Sequence, residues 1–268
     1  VEHLFNADSH DLIFFFTDRG FMYWLNVYDI PEGARTGKGK AIVNLIKIEP
    51  GEQIRAMLTL KKDMFEQENL SIVMATKRGV IKKTALKEFR HLRNLGLRAI
   101  VIEEGDDLIG AEIADGASEI ILSTAKGMAC RFVETDVRTM GRATRGVTGI
   151  RFKLADDEIV SMEVVPASGA VSELPEVDEA AVEAEESAEA PETEPAETAD
   201  GEDVASDEEE IVDDGRPQLL VVTSGGMGKR SYVDHYRLTR RGAKGVKNLN
   251  LRPGEVVIAA LRVKHGDE

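Results

Sequence analysis

Thr17-Asp-Arg-Gly20, Thr76-Lys-Arg-Gly79, Thr124-Ala-Lys-Gly127 and Thr223-Ser-Gly-Gly226 are four copies of one short phrase, Thr-x-x-Gly, and their spacing decides how the rest of the chain is read. The glycines stand 59, 48 and 99 residues apart, and the last interval falls to 49 once the 50 residues from 166 to 215, whose composition is unlike the rest, are set aside. Self-similarity at a fixed period of this size marks a repeat architecture.

Each phrase follows a short apolar run: Leu12-Ile-Phe-Phe-Phe16, Leu70-Ser-Ile-Val-Met74, Ile120-Ile-Leu122 and Leu219-Leu-Val-Val222. These read as buried strands entering a hairpin whose glycine takes the positive φ that a tight turn needs. Ten residues past each glycine stands Ile30, Phe89, Val137 or Tyr236, and a second glycine follows at Gly39, Gly96, Gly146 or Gly245. Four and six positions after that come Val43 with Leu45, Ile100 with Ile102, Ile150 with Phe152, and Leu249 with Leu251. Spacing by two directs both members of a pair to one strand face. An acidic turn (Gly51-Glu52, Gly105-Asp106, Asp156-Asp157, Gly254-Glu255) then leads into a last strand such as Ile159 to Val165 or Val256 to Val263. Four strands in a unit of about 48 residues predict an all-β, propeller-like disc whose blades complete one another's cores. Stacked hairpins in separate domains are the weaker alternative, because no Pro/Gly-rich linker interrupts residues 11 to 165.

The formal net charge of -15 is unevenly spread. Residues 166 to 215 hold 20 of the 49 acids and no Lys or Arg, so the remaining 29 acids face 34 bases and that remainder carries +5. The expected organisation is three blades in 1–165, an acidic insert in 166–215 and a fourth blade in 216–268. The insert has no aromatic residue and is rich in Ala, Glu and Pro. It offers too little apolar surface to offset the entropy of ordering, which predicts disorder. Its carboxylates either compete with a polyanion for the basic body or merely solubilise the chain, and composition leaves both open.

The bases recur at equivalent places. Three or four residues past the hairpin glycine stand Lys82 and Lys83, Arg131, and Lys229 and Arg230, while repeat one has Tyr23-Trp24 there. The loop around the second glycine carries Arg35, Lys38 and Lys40 in repeat one, Arg90 and Arg93 in repeat two, Arg142 and Arg145 in repeat three, and Arg240, Arg241, Lys244 and Lys247 in repeat four. Glycine beside Arg and Lys lets backbone N–H groups and cations approach one phosphate. A single charged loop residue is ordinarily just solvated, but recurrence at equivalent positions predicts a curved basic belt suited to bending duplex DNA by backbone contact.

These loops resemble a known family. Thr239-Arg240-Arg241-Gly242-Ala243-Lys244-Gly245 matches five of seven positions of the Gln-Arg-Arg-Gly-Gly-Lys-Gly box of DNA gyrase A. Thr17-Asp-Arg-Gly20, Gly37-Lys-Gly-Lys-Ala-Ile-Val-Asn-Leu45, Met74-Ala-Thr, Lys82-Lys-Thr84 and Val137-Arg-Thr-Met-Gly141 are similar to phrases of that family's C-terminal β-pinwheel domain. The resemblance covers nearly everything outside 166–215. It implies a bacterial type IIA topoisomerase domain that wraps double-stranded DNA and presents it to a cleavage gate, supporting ATP-dependent negative supercoiling. It further implies work beside gyrase B and a second copy of gyrase A in the cytoplasm, with ATP and Mg acting in other domains. Two departures stand out. The family box belongs to the first blade but is best matched here in the last repeat, which leaves room for a box-bearing blade ahead of Val1. Acidic tails are expected after the blades rather than between them.

Catalysis is not legible. The tyrosines, Tyr23, Tyr28, Tyr232 and Tyr236, fall at repeat positions that read as strand or blade core. Gly225-Gly-Met-Gly-Lys229 is a hairpin turn and not a strand-to-helix phosphate loop. The one cysteine, Cys130, sits in an apolar run and reads as buried, and neither it nor the five histidines form a metal-ligand pattern. No apolar run is long enough for a membrane span. Two rival readings remain: the C-terminal domain of the topoisomerase IV counterpart of gyrase A, which selects DNA crossings, and a propeller that serves only as a protein-interaction platform. The second predicts an aromatic or apolar rim instead of Arg/Gly loops.

Overall fold

The computed structural model describes residues 6–33, 37–93, 95–167 and 215–263. Most of the acidic insert, 168–214, therefore lies outside the described residues. Among the described residues the chain is all β, joined by short 3-10 turns. Blade one contains β1 (Leu12–Thr17), β2 (Phe21–Asn26) and β3 (Ile54–Leu60). Repeat two supplies β4 (Ser71–Thr76), β5 (Val80–Ala85), the short β6 (Leu97–Arg98) and β7 (Leu108–Ala114). Repeat three supplies β8 (Ser118–Thr124), β9 (Met128–Val133), β10 (Val147–Thr148) and β11 (Ile159–Pro166). Repeat four supplies β12 (Gln218–Thr223), β13 (Gly228–Tyr232), β14 (Leu238–Thr239), β15 (Val246–Lys247) and β16 (Val257–Val263).

The Thr-x-x-Gly phrase is a hairpin turn in every repeat. The glycine takes φ between 76° and 91° and donates its amide to the threonine carbonyl. The threonine is buried, and its hydroxyl accepts the N–H of the residue four positions on, at 3.2–3.3 Å in all four repeats. A β-branched side chain fits the strand, and its hydroxyl satisfies an amide that the turn would otherwise strand. The acidic closing turns are explained similarly. Asp106 accepts the Arg78 N–H and Asp157 the Lys126 N–H, each at 2.9 Å, tying the last strand of a repeat to its own hairpin.

The expectation of four strands from one repeat needs correction. Among the described residues, repeats two, three and four each build three strands of their own blade and reach back to the blade before, repeats two and three with one short strand and repeat four with two. β6 pairs with β2, β10 with β5, and β14 and β15 with β9. The physical reason lies at the hairpins. The main chain past each second glycine runs so close to the preceding blade that Gly20 O accepts the Ala99 N–H, Gly79 O the Gly149 N–H and Gly127 O the Asn248 N–H, at 2.7–2.8 Å. A Cβ on Gly20, Gly79 or Gly127 would stand 2.4–3.0 Å from the carbonyl of Ile100, Ile150 or Leu249. Glycine is thus required both for its φ and for the approach.

Strand exchange fills the space between blades. Phe14, Phe16 and Leu12 of blade one pack with Ile72 and Met74 of blade two, roofed by Ile100 from the crossing segment. The opposite face of blade two, Val73 and Ala75, meets Ile120, Leu122 and Ile150, and that of blade three, Ile121, meets Leu219 and Val221 beneath Leu249. The closing strands contact one another in the order β3, β7, β11, β16, with no comparable contact from β16 back to β3. They form the inside of an arc, and the lent strands form its outside.

On that inner side a carboxylate pair faces a neighbouring strand. Glu112 of β7 accepts the Val164 N–H at 3.2 Å, and Arg262 of β16 donates to Val164 O at 2.8 Å. Burial, reinforced by the charge of Glu163, pushes the Glu112 carboxyl up to about 8; burial also raises Glu163. A raised acid stabilises the fold below its unfolded value and loses that contribution as pH climbs toward its folded value. Wild type is expected to lose about 1–2 kcal/mol relative to Glu112→Gln between pH ~4.5 and ~8. Thermal unfolding of both proteins across that range checks this; parallel curves would show that the carboxyl is not held protonated.

Candidate nucleic-acid interface

Because each crossing segment reaches the outer strand of the preceding blade, the second-glycine loops lie on the outside of the arc. They also touch one another. Val101 of repeat two donates its N–H to Thr144 O of repeat three at 2.9 Å, Arg151 of repeat three donates to Ala243 O of repeat four at 3.2 Å, and Gly242 donates back to Gly149 O at 2.8 Å. The loops of repeats two, three and four are therefore one continuous main-chain belt.

The predicted cations divide into three groups. Lys38, Lys40, Arg93, Arg230, Lys244 and Lys247 are exposed, and Arg142 and Lys229 half-buried. Arg90 and Arg145 are exposed but paired, with Glu66 and Glu103. Such exposed pairs are weak enough for a phosphate to replace the carboxylate. Arg35 lies outside the described residues.

Lys82, Lys83 and Arg131 were expected on the surface and are buried instead. The ammonium of Lys82 donates to the carbonyls of Ala99, Arg142 and Thr144, where the crossing segment of repeat two meets the loop of repeat three. Burial, with the charge of Arg142 added, lowers its pKa to about 8. At neutral pH it still carries three N–H donors for three acceptors. Lys83 donates to Glu134 O at 3.1 Å and pairs with that carboxylate at 3.5 Å. Arg131 holds Glu119 at 2.6 Å and donates to Val233 O and Tyr236 O at 3.1 and 2.8 Å. All three pin the next repeat onto their own blade. A cation at this strand position meets the carbonyls that the adjoining turn leaves without ladder partners, and buried charges persist only when paired in this way.

Within the box-like loop the two arginines also differ from the expectation of free phosphate contacts. Arg241 donates through its guanidinium to Asp136 O and Thr148 O, at 3.2 and 2.9 Å, and Arg240 lies 3.9 Å from the Asp136 carboxylate. Arg241 shapes the loop, and Lys244 at its tip stays exposed. The pattern missed Arg98, which is exposed on β6 and stacks over the Phe21 ring at 4.4 Å. Its place two residues past Gly96, matching Lys247 two past Gly245, was a usable signal.

Tyr23, Tyr232 and Tyr236 are buried as read from the repeats, with Tyr23 and Tyr236 pushed up to about 12, mainly by burial. Tyr28 departs, lying exposed in the 3-10 turn Val27–Asp29 because that turn faces solvent. Cys130 is buried beside Thr239, and burial lifts its thiol to about 11, far from a reactive thiolate.

Comparison with known proteins agrees with this geometry. A family profile described as the DNA gyrase C-terminal domain, beta-propeller, matches residues 11–61, 71–115, 118–166 and 217–264, one stretch per blade. DNA gyrase A of Haemophilus influenzae is 35% identical over 100% of this chain and 28% of its own length. DNA gyrase A of Synechocystis is 36% identical over 100% of this chain and 29% of its own length. The chain thus spans between a quarter and a third of these two relatives. Among solved structures, the C-terminal domain of DNA topoisomerase IV superposes with a TM-score of 0.70 at 21% identity, covering 96% of this chain and 64% of that one. The DNA gyrase A C-terminal domain gives a TM-score of 0.53 at 20% identity, covering 96% and 83%. A profile that follows the blades one by one, together with relatives matched along the whole chain, shows that this chain belongs to the DNA gyrase C-terminal domain family.

Proposed function

We propose that this chain is the DNA-wrapping domain of a gyrase A protein, binding double-stranded DNA along its outer loop belt and curving it for strand passage elsewhere in the enzyme. The observation that carries the reading is the belt itself, three basic loops joined backbone to backbone on the convex side of an arc. Phosphates drawn along such a curve bend with it, and recognition rests on charge and deformability more than on base edges. DNA cleavage and ATP hydrolysis, with Mg, belong to the remainder of gyrase A, its second copy and gyrase B, in the cytoplasm. The named relatives favour gyrase over topoisomerase IV, since the curated sequences matched along the chain carry the gyrase name.

A duplex-binding titration at two salt concentrations tests this. Replacing Lys38, Lys40, Arg93, Arg142 and Lys244 together by Gln should weaken binding at least about tenfold at low salt and flatten the salt dependence, each lost phosphate contact removing roughly 0.9 from the slope. Unchanged affinity and slope would reject the belt as the DNA surface.

A further inference from the structure

The loop of repeat two breaks a pattern that the other loops keep. The residue just before the second glycine is Lys38, Arg145 or Lys244 in repeats one, three and four, and Leu95 in repeat two. Leu95 is 76% exposed. Its leucine neighbours turn the other way: Leu97 is buried on β6, and Leu92 packs against the core shared by blades one and two. The turn that carries Leu95 is held firmly. Gly96 donates its amide to Arg93 O at 3.3 Å, Leu97 pairs with Met22, and a Cβ on Gly96 would stand 2.8 Å from the Tyr23 ring, so the main chain lies flat on blade one. Turns ordinarily carry Gly, Asn, Asp or Ser at such points, and a leucine gains nothing there from the local geometry. Its exposure belongs to the position within the repeat. Arg145, the equivalent in repeat three, has belt contacts on both sides of it and still shows a side chain 70% exposed. Exposed cations frame Leu95, with Arg93 before it and Arg98 after it.

We propose, on the reading above that the outer belt carries duplex DNA, that Leu95 contacts thymine methyl groups in the major groove, the apolar feature that base edges present there. Arg93 and Arg98 hold phosphates on either side, which keeps the backbone at the flanks of the turn and brings the groove over its centre. Set against a phosphate, the leucine would strip water from a charge and return no hydrogen bond; set against a methyl, it removes apolar surface of both partners from water. A wedge driven between base pairs is the other use of an exposed leucine. Entering from the minor groove, it would kink the duplex toward the major groove and away from the belt, against the curve that wrapping requires. The belt is thus held mainly by charge, with one apolar contact that favours A·T pairs.

Binding of the chain to a long duplex, and to the same duplex with deoxyuridine in place of every thymidine, tests this. The exchange removes the methyl groups and leaves charge and base pairing in place. The unmodified chain should bind the thymidine duplex about two- to fourfold more tightly, the effect of burying roughly one methyl group. That ratio should persist as salt is raised, while both affinities fall. Leu95→Gln alters an exposed side chain, so it should fold, and it should bring the ratio to one by weakening the thymidine complex. Arg145→Gln should weaken both complexes alike and keep the ratio. A ratio of one for the unmodified chain, or a preference that survives Leu95→Gln, would overturn the role of Leu95 and leave the belt standing. Absence of salt-sensitive binding to either duplex would remove the belt and the role of Leu95 together.

Discussion

Arg131→Ala is expected to destabilise the fold by about 3–5 kcal/mol, because it leaves a buried carboxylate and two buried carbonyls without their cation. Glu119 is 2% exposed and loses its 2.6 Å partner; Val233 O and Tyr236 O lose donors that tie repeat four to blade three. For a domain of this size the loss corresponds to a fall in Tm of about 10 °C, measurable by thermal or urea unfolding. Arg145→Ala, which removes an exposed partner of Glu103, should move stability by less than about 0.5 kcal/mol. Adding Glu119→Gln to Arg131→Ala should recover part of the loss, since the stranded charge goes with it. A solvent-facing DNA contact at Arg131 would behave in the opposite way, with stability unchanged and duplex binding reduced.

Replacing the 20 acidic residues between 166 and 215 by Gln and Asn should tighten binding of a long duplex by at least about tenfold at low salt, an advantage that shrinks as salt is raised. The change converts a formal -15 into +5 without altering the length of the segment. Where the segment is tethered supports a competitive role. Its leading end is the last residue of β11, opposite Ser118 and away from the hairpin turns. At its trailing end Arg216 lies 3.9 Å from the Tyr232 ring, and Pro217 O accepts the Val233 N–H, at the start of the turn that precedes the box-like loop. The trailing end of the segment thus enters the fold at the turn that precedes, in sequence, the loop of Arg240 and Lys244. Equal affinity of the two proteins at every salt concentration would make the segment a solubilising spacer.

The residues differ in how openly they declared these roles. Thr17, Thr76, Thr124 and Thr223 were legible as hairpins because turn chemistry is local: a β-branched hydroxyl and a positive-φ glycine act within four residues of each other. The apolar pairs after the second glycine were legible as strand faces for the same reason. Which blade those pairs serve was not, since period-two alternation fixes a face and says nothing about the neighbour it meets. The cations show the limit most clearly. Lys82 and Lys229 occupy the same repeat position in similar company, yet one is buried on three carbonyls and the other is only half-buried. Sequence periodicity gives a position within the repeat, and burial depends on whether another repeat arrives.

By itself, then, the sequence determined that this is an all-β array of four similar units, interrupted by an acidic stretch and carrying bases in glycine-rich loops. Those properties follow from local turn geometry, side-chain alternation and composition. The fold adds what local pattern leaves open: repeats two, three and four lend strands to the blade before, their loops join into one outer belt, and Lys82, Lys83 and Arg131 brace the interior. These depend on the close approach of main chains far apart in sequence, at Gly20 with Ile100, Gly79 with Ile150 and Gly127 with Leu249, where carbonyls from one repeat meet amides and cations from another.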